Sequence, residues 1–179
     1  MIHLLALSGS LRKTSYNTAV LQAMAALAPE GIAIQIGSIA ELPLFNPDLE
    51  DQPIPALELL RSQLQQADGL IIASPEYAHG VSGPLKNALD WLVSGTEFPY
   101  KPVMLVNTSP RASHALASLR EIITTMSGQI VEPACITVPL LGSGLDAHGI
   151  VDNQAMAGVL VDAVQRFGEV CGLGGHVQN

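Results

Sequence analysis

The sequence has few positively charged residues. Lysine and arginine together number 8, against 16 aspartate and glutamate residues, so the formal net charge is −8. A nucleic-acid surface needs clustered cations, and this balance argues against nucleic acid as a partner. It also makes each cation in a loop informative, because so few are available.

Long apolar runs and cysteine clusters are also missing. The apolar runs are short and repeatedly interrupted, well below the roughly 18–20 residues of a membrane span, so we expect no transmembrane helix. The N-terminus lacks the basic region and cleavage site of a signal peptide, which predicts a cytoplasmic protein. Cys135 and Cys171 form no metal-spaced cluster, and we interpret both as buried or inert thiols rather than as a disulfide.

What the chain does contain is enough hydrophobic sequence for one sizeable core. It has 179 residues, of which 48% are hydrophobic, and this length favours one domain over two independent ones. We predict a single domain over residues 1–171 and a disordered tail over residues 172–179. A proline-rich segment, 42–56, is predicted to be an irregular surface connection within that domain.

Strand-like and helix-like segments alternate along the chain. Short apolar runs that end in Gly, Ser or Pro are typical of buried strands, and apolar residues on one helical face are typical of amphipathic helices. Strands are predicted over residues 2–7, 32–36, 70–73, 103–106 and 130–138. Helices are predicted over residues 16–28, 56–67, 84–93, 113–126 and 153–170, with Ser113 as the cap of the fourth and a loop over residues 139–152.

This alternation predicts the α/β class, with an open parallel sheet and helices on both of its faces. In such sheets, ligands bind beyond the carboxyl ends of the strands, where the strand order reverses. The candidate loops therefore follow the first, third and fourth strands. They cover residues 8–15, 74–82 and 107–113.

The first of these loops has the composition of an anion site. It carries hydroxyl groups and two cations, Arg12 and Lys13, immediately before a helix, and a helix N-terminus presents free N–H groups. The sequence is neither a P-loop nor the Gly-x-Gly-x-x-Gly dinucleotide fingerprint. The alternative is that the hydroxyls only cap the helix while both cations are solvated.

The second loop carries Glu76, Tyr77 and His79. An acid–base role for His79 is one interpretation, but the sequence offers no nearby nucleophile with which to complete a triad. We favour a flat ligand that stacks on this loop and contacts its backbone N–H groups. The helix that follows is predicted to begin with Ser82 or Gly83 as its N-cap.

The third loop again combines hydroxyl groups with a cation. Thr108 and Ser109 precede Arg111, which fits either a surface ion pair or a ligand contact. Further along, Asp146 and His148 lie two residues apart, and such a pair alone does not predict a metal site.

Two stretches resemble a known family. Residues 9–17 read Gly-Ser-Leu-Arg-Lys-Thr-Ser-Tyr-Asn, and residues 74–91 contain Ser-Pro-Glu-Tyr and Gly-Pro-Leu-Lys-Asn-Ala-Leu-Asp-Trp. Both resemble motifs of the NADPH-dependent FMN reductase family, flavodoxin-like proteins that include quinone, azo-dye and chromate reductases. The resemblance extends to about residue 170. It departs from the family pattern at Ala78, where Asn is usual, and at Ser82, where Pro is usual.

The resemblance implies a flavodoxin-like sheet of five strands in the order 2-1-3-4-5 and a bound FMN that NADPH or NADH reduces. It implies that the FMN phosphate is held by Ser10, Arg12, Ser15, Tyr16 and Asn17. It places the isoalloxazine ring against Pro75, Glu76, Tyr77, Ala78, His79 and Gly80, with Thr108 and Ser109 at its other edge. The chemistry would belong to the cofactor, so no catalytic side chain and no metal ligand are expected.

The resemblance also implies an electron acceptor of low molecular weight, such as a quinone, an azo compound, a metal oxyanion or free flavin. It implies a homodimer or homotetramer in which Trp91 is either an interface anchor or an ordinary core residue. Two other functions fit the same fold. One is a flavodoxin-like electron carrier, which the aromatic content of 4% disfavours, and the other is a flavin-free binding or regulatory module.

Overall fold

A parallel sheet lies at the centre of the fold. The computed structural model of the protein describes residues 1–174. The sheet strands are β1 (Ile2–Ser8), β2 (Ile32–Gly37), β3 (Gly69–Ala73), β6 (Pro102–Asn107), β7 (Gln129–Ile130) and β8 (Ile136–Thr137), and a separate antiparallel hairpin consists of β4 (Glu76–Tyr77) and β5 (Gly80–Val81). The helices are α1 (Tyr16–Ala26), α2 (Pro55–Gln66), α3 (Gly83–Leu92), α4 (Ser113–Thr125), α5 (Ala147–Asp152) and α6 (Gln154–Gly174).

The sheet has the strand order β2-β1-β3-β6-β7, and β8 also pairs with β6. All of these pairings are parallel. The predicted flavodoxin-like order is therefore confirmed. Strand β2 lies on one side of β1, and β3 and β6 lie on the other, so the strand order reverses between β1 and β3. Loops that follow β1, β3 and β6 emerge side by side at the carboxyl edge.

Helices cover both faces of the sheet, and this explains why its central strands are apolar throughout. Every residue of β3 is buried. One face packs on α1, α5 and α6, and the other packs on α2, α3 and α4. Each large aliphatic side chain that becomes fully buried in this way contributes about 1.5–3 kcal/mol, so the sheet is a rigid base for its loops.

Trp91 belongs to this core. Its side chain is fully buried, its indole N–H donates to the carbonyl of Pro43 at 2.8 Å, and Phe45 packs edge-on against its ring. The alternative, an exposed interface anchor, does not describe it in this structure. The same contacts attach the proline-rich segment to α3.

Most predicted elements are confirmed to within one or two residues, and four are wrong in part. The predicted strand 130–138 is divided into β7 and β8 by a 3-10 turn, Glu132–Ala134, because Pro133 within it cannot donate to a ladder. The predicted loop 139–152 contains α5. The predicted loop 74–82 contains the β4–β5 hairpin.

The fourth correction concerns the C-terminal end of the chain. Helix α6 extends to Gly174 rather than to residue 170, so residues 172–174 of the predicted tail are helical. Cys171 is buried and packs close to Gly69 of β3, which holds this last part of the helix on the sheet. Residues 175–179 of the predicted tail lie outside the described residues.

The two cysteines are free thiols. Burial raises the pKa of the Cys135 thiol, and it raises the pKa of Cys171 to about 12. A thiol must ionise to act as a nucleophile, and the raised pKa disfavours the Cys171 thiolate at neutral pH. Within residues 1–174, no helix has the combination of length and hydrophobicity that crossing a membrane requires.

Ser82 connects the start of α3 to the first loop. It is the N-cap residue, as predicted, and its hydroxyl oxygen accepts from the N–H of Leu85 at 3.4 Å. The same hydroxyl donates to the carbonyl oxygen of Gly9 at 2.6 Å, and Ser82 is only 1% exposed. One side chain thus caps a helix and joins two loops at the carboxyl edge of the sheet.

We predict that Ser82→Ala lowers the free energy of unfolding by about 1–3 kcal/mol, because it removes a helix cap and leaves the buried carbonyl of Gly9 without a donor. Denaturant unfolding monitored by Trp91 fluorescence measures this. Ser118→Ala, at an exposed position of α4, is the control and should change stability by less than about 0.5 kcal/mol. Equal stability of the two variants would contradict the assigned role of Ser82.

Candidate functional site

A cleft of about 300 Å³ lies at the carboxyl edge of the sheet, between the loops that follow β1, β3 and β6. This volume is at the lower end of the range for small-molecule sites. Ten of the residues predicted to hold a cofactor line it: Ser10, Arg12, Ser15, Tyr16, Asn17, Pro75, Glu76, Tyr77, Thr108 and Ser109. The three loops selected from the sequence therefore meet, and they enclose one space.

The first loop is shaped by hydrogen bonds among its own hydroxyl groups. The hydroxyl of Ser8 bonds to that of Thr18 at 2.9 Å and accepts from the N–H of Ser10 at 3.2 Å. The hydroxyl of Ser15 caps α1 by accepting from the N–H of Thr18. The loop is thereby folded against the N-terminus of α1, and Arg12 extends from it as an exposed side chain.

Asn17 links the first loop to the third. It is 5% exposed, and its side-chain oxygen accepts from the Thr108 hydroxyl at 3.1 Å. As oriented, its amide nitrogen donates to no other group within residues 1–174, although the residue lines the cleft. A donor that is this deeply placed and free to bond is suited to an acceptor in the cleft.

Gly9 allows the first and second loops to approach closely. Its N–H donates to the carbonyl of Ala73 at the end of β3, at 2.8 Å. A Cβ atom at position 9 would lie 2.9 Å from the hydroxyl oxygen of Ser74 and 3.0 Å from that of Ser82. Because such distances are shorter than a carbon–oxygen contact permits, glycine is the residue that fits here.

The second loop forms one wall of the cleft through Pro75, Glu76 and Tyr77. The carboxylate of Glu76 points towards α4 and accepts from the N–H of Ala115 at 2.8 Å. Glu76 therefore caps α4, whose own N-cap residue, Ala112, has no side-chain acceptor. The prediction that Ser113 is the cap is wrong, since Ser113 is the first helical residue.

Ala78, His79 and Gly80 do not line the cleft. They lie at the turn of the β4–β5 hairpin, where Ala78 and His79 both have positive φ. The imidazole of His79 stacks on that of His114, with 4.2 Å between ring centroids. Contact of these three residues with a cofactor stays a prediction, and the structure gives His79 a protein partner instead of a nucleophile to activate.

The third loop contributes Thr108, Ser109 and Arg111 to the cleft. The N–H of Ser109 donates to the side chain of Asn107, which fixes the turn after β6. Arg111 forms no salt bridge in the part of the chain that the structure describes, and neither does Arg12. The ion-pair interpretation of Arg111 is thus not supported, and the two exposed guanidinium groups leave this cleft suited to an anion.

Five further cleft residues were not assigned a binding role from the sequence: Thr14, Ser74, Asn107, Ala112 and Leu141. The first four nevertheless lie within the three loops that the rule about strand ends selects. Leu141 could not be found in this way, because it comes from the segment after β8. That segment is joined to α1 by a bond from the N–H of Gly144 to the Tyr16 hydroxyl, at 3.0 Å.

Asp146 has a structural role in the same segment. Its carboxylate caps α5 by accepting from the N–H of Gly149 at 2.8 Å. His148 is exposed at the start of that helix. The Asp146 carboxylate therefore serves as a helix cap.

Hydrogen-bond donors of the first loop lie at one part of the cleft, and the second loop forms a wall at another. The hydroxyls of Ser10 and Ser15, the amide of Asn17, the N-terminus of α1 and the guanidinium of Arg12 lie together at the first loop. Of the described residues that line the cleft, Glu76 is the acidic one, and its carboxylate is already engaged with α4. This donor set fits a phosphate group, which carries several acceptor oxygens and a negative charge.

Comparisons with known proteins agree with this geometry. The sequence profile described as NADPH-dependent FMN reductase matches residues 2–140. The chain is 34% identical to an NAD(P)H-dependent FMN reductase of Pseudomonas aeruginosa, over 86% of this chain and 87% of that one. It is 31% identical to a quinone reductase of Escherichia coli, over 94% of each chain.

Among solved structures, the fold is similar to that of FerB, a flavoenzyme NAD(P)H:(acceptor) oxidoreductase from Paracoccus denitrificans. The TM-score is 0.81 at 23% identity, and the match covers 97% of this chain and 98% of that one. The structural match shows the same fold, and the sequence matches, which cover most of the chain, show the family. The chain belongs to the NADPH-dependent FMN reductase family.

Proposed function

We propose that this protein is an FMN-dependent oxidoreductase that takes electrons from NADPH or NADH and passes them to a small acceptor. Suitable acceptors are a quinone, an azo compound, a metal oxyanion or free flavin. The observation that carries the proposal is the cleft itself, which combines a phosphate-type donor set with an open wall at the carboxyl edge of a flavodoxin-like sheet. Family membership gives the same assignment.

The phosphate of FMN would bind at the first loop. Ser10 and Ser15 have hydroxyl groups that can donate to it, Asn17 has its free amide, and Arg12 adds a charge-assisted bond. The first N–H groups of α1 add the favourable end of the helix dipole. The hydroxyl of Tyr16 accepts from the N–H of Gly144, which leaves its own O–H proton available to donate to the phosphate, as is its backbone N–H.

The flavin ring would lie along Pro75, Glu76 and Tyr77, with Thr108 and Ser109 at its other edge. Bound FMN supplies hydride acceptance from the nicotinamide and electron transfer to the acceptor. The side chains of this wall are engaged with protein or exposed, so their part is to hold and orient the ring. Tyr77 is 53% exposed at the mouth of the cleft, which leaves room for a nicotinamide or an acceptor to approach.

We also propose a homodimer or homotetramer. Three apolar or aromatic residues on the segments that form the cleft, Leu11, Tyr77 and Leu141, are each 53% exposed, and a second subunit would cover such side chains. A cytoplasmic location is proposed because NAD(P)H, the electron donor, is available inside the cell.

The proposed FMN-binding domain includes the residues up to Gly174, because α6 continues to that point.

The direct test is anaerobic reduction. We predict that the purified protein is yellow after incubation with FMN, and that NADPH or NADH removes the visible absorption of the bound flavin. Spectrophotometry with each nucleotide measures the rate of flavin reduction and shows which nucleotide is preferred. The family description names NADPH, so we expect faster reduction with NADPH. A protein that takes up no FMN would exclude the proposal, and a yellow protein that neither nucleotide bleaches would instead be an electron carrier.

A second prediction concerns the phosphate end of the site. Arg12→Ala should weaken FMN binding by about 1.5–3 kcal/mol, the range for a hydrogen bond to a charged group. Fluorescence titration of FMN measures the dissociation constant. Lys13→Ala is the matched control, because Lys13 belongs to the same loop and is exposed but does not line the cleft. If Arg12→Ala binds FMN as the Lys13 control does, Arg12 is not a phosphate ligand.

A further inference from the structure

The turn of the β4–β5 hairpin has a backbone conformation that its two residues seldom adopt. Glu76 pairs with Val81 and Tyr77 with Gly80, so only Ala78 and His79 connect the strands. Their φ values are 48° and 59°, and positive φ at both central residues is the signature of a type I′ turn, which favours Asn and Gly. A left-handed conformation is unfavourable for a residue that carries a Cβ atom, so the turn does not stabilise the hairpin by itself.

Contacts with α4 compensate for this unfavourable turn. The carboxylate of Glu76 accepts from the N–H of Ala115, the third residue of α4, at 2.8 Å. A negative charge at this position also interacts favourably with the N-terminal end of the helix dipole. Since Ala112 caps α4 without a side-chain bond, the same interaction stabilises both the hairpin and the helix.

A second contact lies at the turn itself. The imidazole rings of His79 and His114 stack with an interplanar angle of 19°. His114 is the second residue of α4, next to Ala115. The hairpin is therefore attached to the first turn of α4 at two points, one on β4 and one on the strained turn.

We propose that Glu76 is a positioning residue for the flavin ring. By capping α4, its carboxylate fixes the backbone of Pro75, Glu76 and Tyr77, which forms the ring side of the cleft. Glu76 donates and accepts no proton in the reaction, and it acts through the conformation of the hairpin. This inference rests on the proposed function in one respect, namely that the ring lies along this wall.

The test compares Glu76→Ala, Glu76→Gln and the double variant Glu76→Ala with Ala78→Gly. Glycine adopts positive φ readily and adds no side chain that could touch a ligand. Glu76→Ala should raise the dissociation constant for FMN roughly tenfold and slow flavin reduction by NADPH. Glu76→Gln keeps an acceptor oxygen for the N–H of Ala115, so it should lose much less FMN affinity and much less of the reduction rate.

The double variant decides between positioning and direct contact. If Glu76 acts through the hairpin, Ala78→Gly should recover most of the affinity and most of the reduction rate that Glu76→Ala loses. A Glu76→Ala defect that Ala78→Gly does not recover would overturn the proposal, because it would place the carboxylate on the ligand or in proton transfer. An unaffected Glu76→Ala protein would overturn it as well.

A measurement without flavin separates this inference from the proposed function. Hydrogen exchange of the Ala115 amide in the FMN-free protein should be faster in Glu76→Ala than in the wild type. Glu121→Ala, at an exposed position of α4, is the control and should leave that amide unchanged. Faster exchange in a protein that binds no FMN would reject only the proposed function, whereas unchanged exchange would reject the role of Glu76.

Discussion

The site depends on the parallel pairing of β1, β3 and β6. These strands are neighbours in the sheet and point the same way, so their carboxyl ends, and the loops that follow them, emerge at one edge. Helices cover both faces of the sheet, and burial of the central strands prevents any shift of register. Three loops that are distant in the sequence are therefore held close together before any ligand arrives.

Hydrogen bonds between the loops then set the shape of the cleft. Ser82 joins the second loop to the first through Gly9, and Thr108 joins the third loop to Asn17. Glu76 attaches the hairpin to α4. Each bond uses a side chain on one segment and a partner far away in sequence. The result is a preorganised cleft in which the donors near Arg12 are left free for a ligand.

Local sequence patterns predicted the elements whose signals are local. Buried β3 and the Ser82 cap of α3 were found from an apolar run and a cap residue, and both are confirmed. The apolar run over residues 130–138 predicts a single strand, but Pro133 within it divides that strand into β7 and β8. The cap of α4 was missed for a different reason, since the acceptor is Glu76, 39 residues before its donor. No local pattern contains that information.

The structure also explains how the chain accommodates its two departures from the family pattern, at Ser82 and Ala78. Ser82, where Pro is usual, is a buried cap that bonds to Gly9. Ala78, where Asn is usual, lies at a positive φ that Asn tolerates better. Its effect is therefore on the conformation of the hairpin, and the contacts of Glu76 and His79 with α4 compensate for it.

In the proposed complex, one cleft holds both ends of FMN, with the phosphate at the first loop and the ring along the hairpin. A crystal structure of the protein with FMN is the test of this arrangement. We expect phosphate oxygens within hydrogen-bond distance of Ser10, Arg12 and Asn17, and the ring against Pro75 and Tyr77. A phosphate bound at Arg111, or a flavin bound outside the cleft, would contradict it.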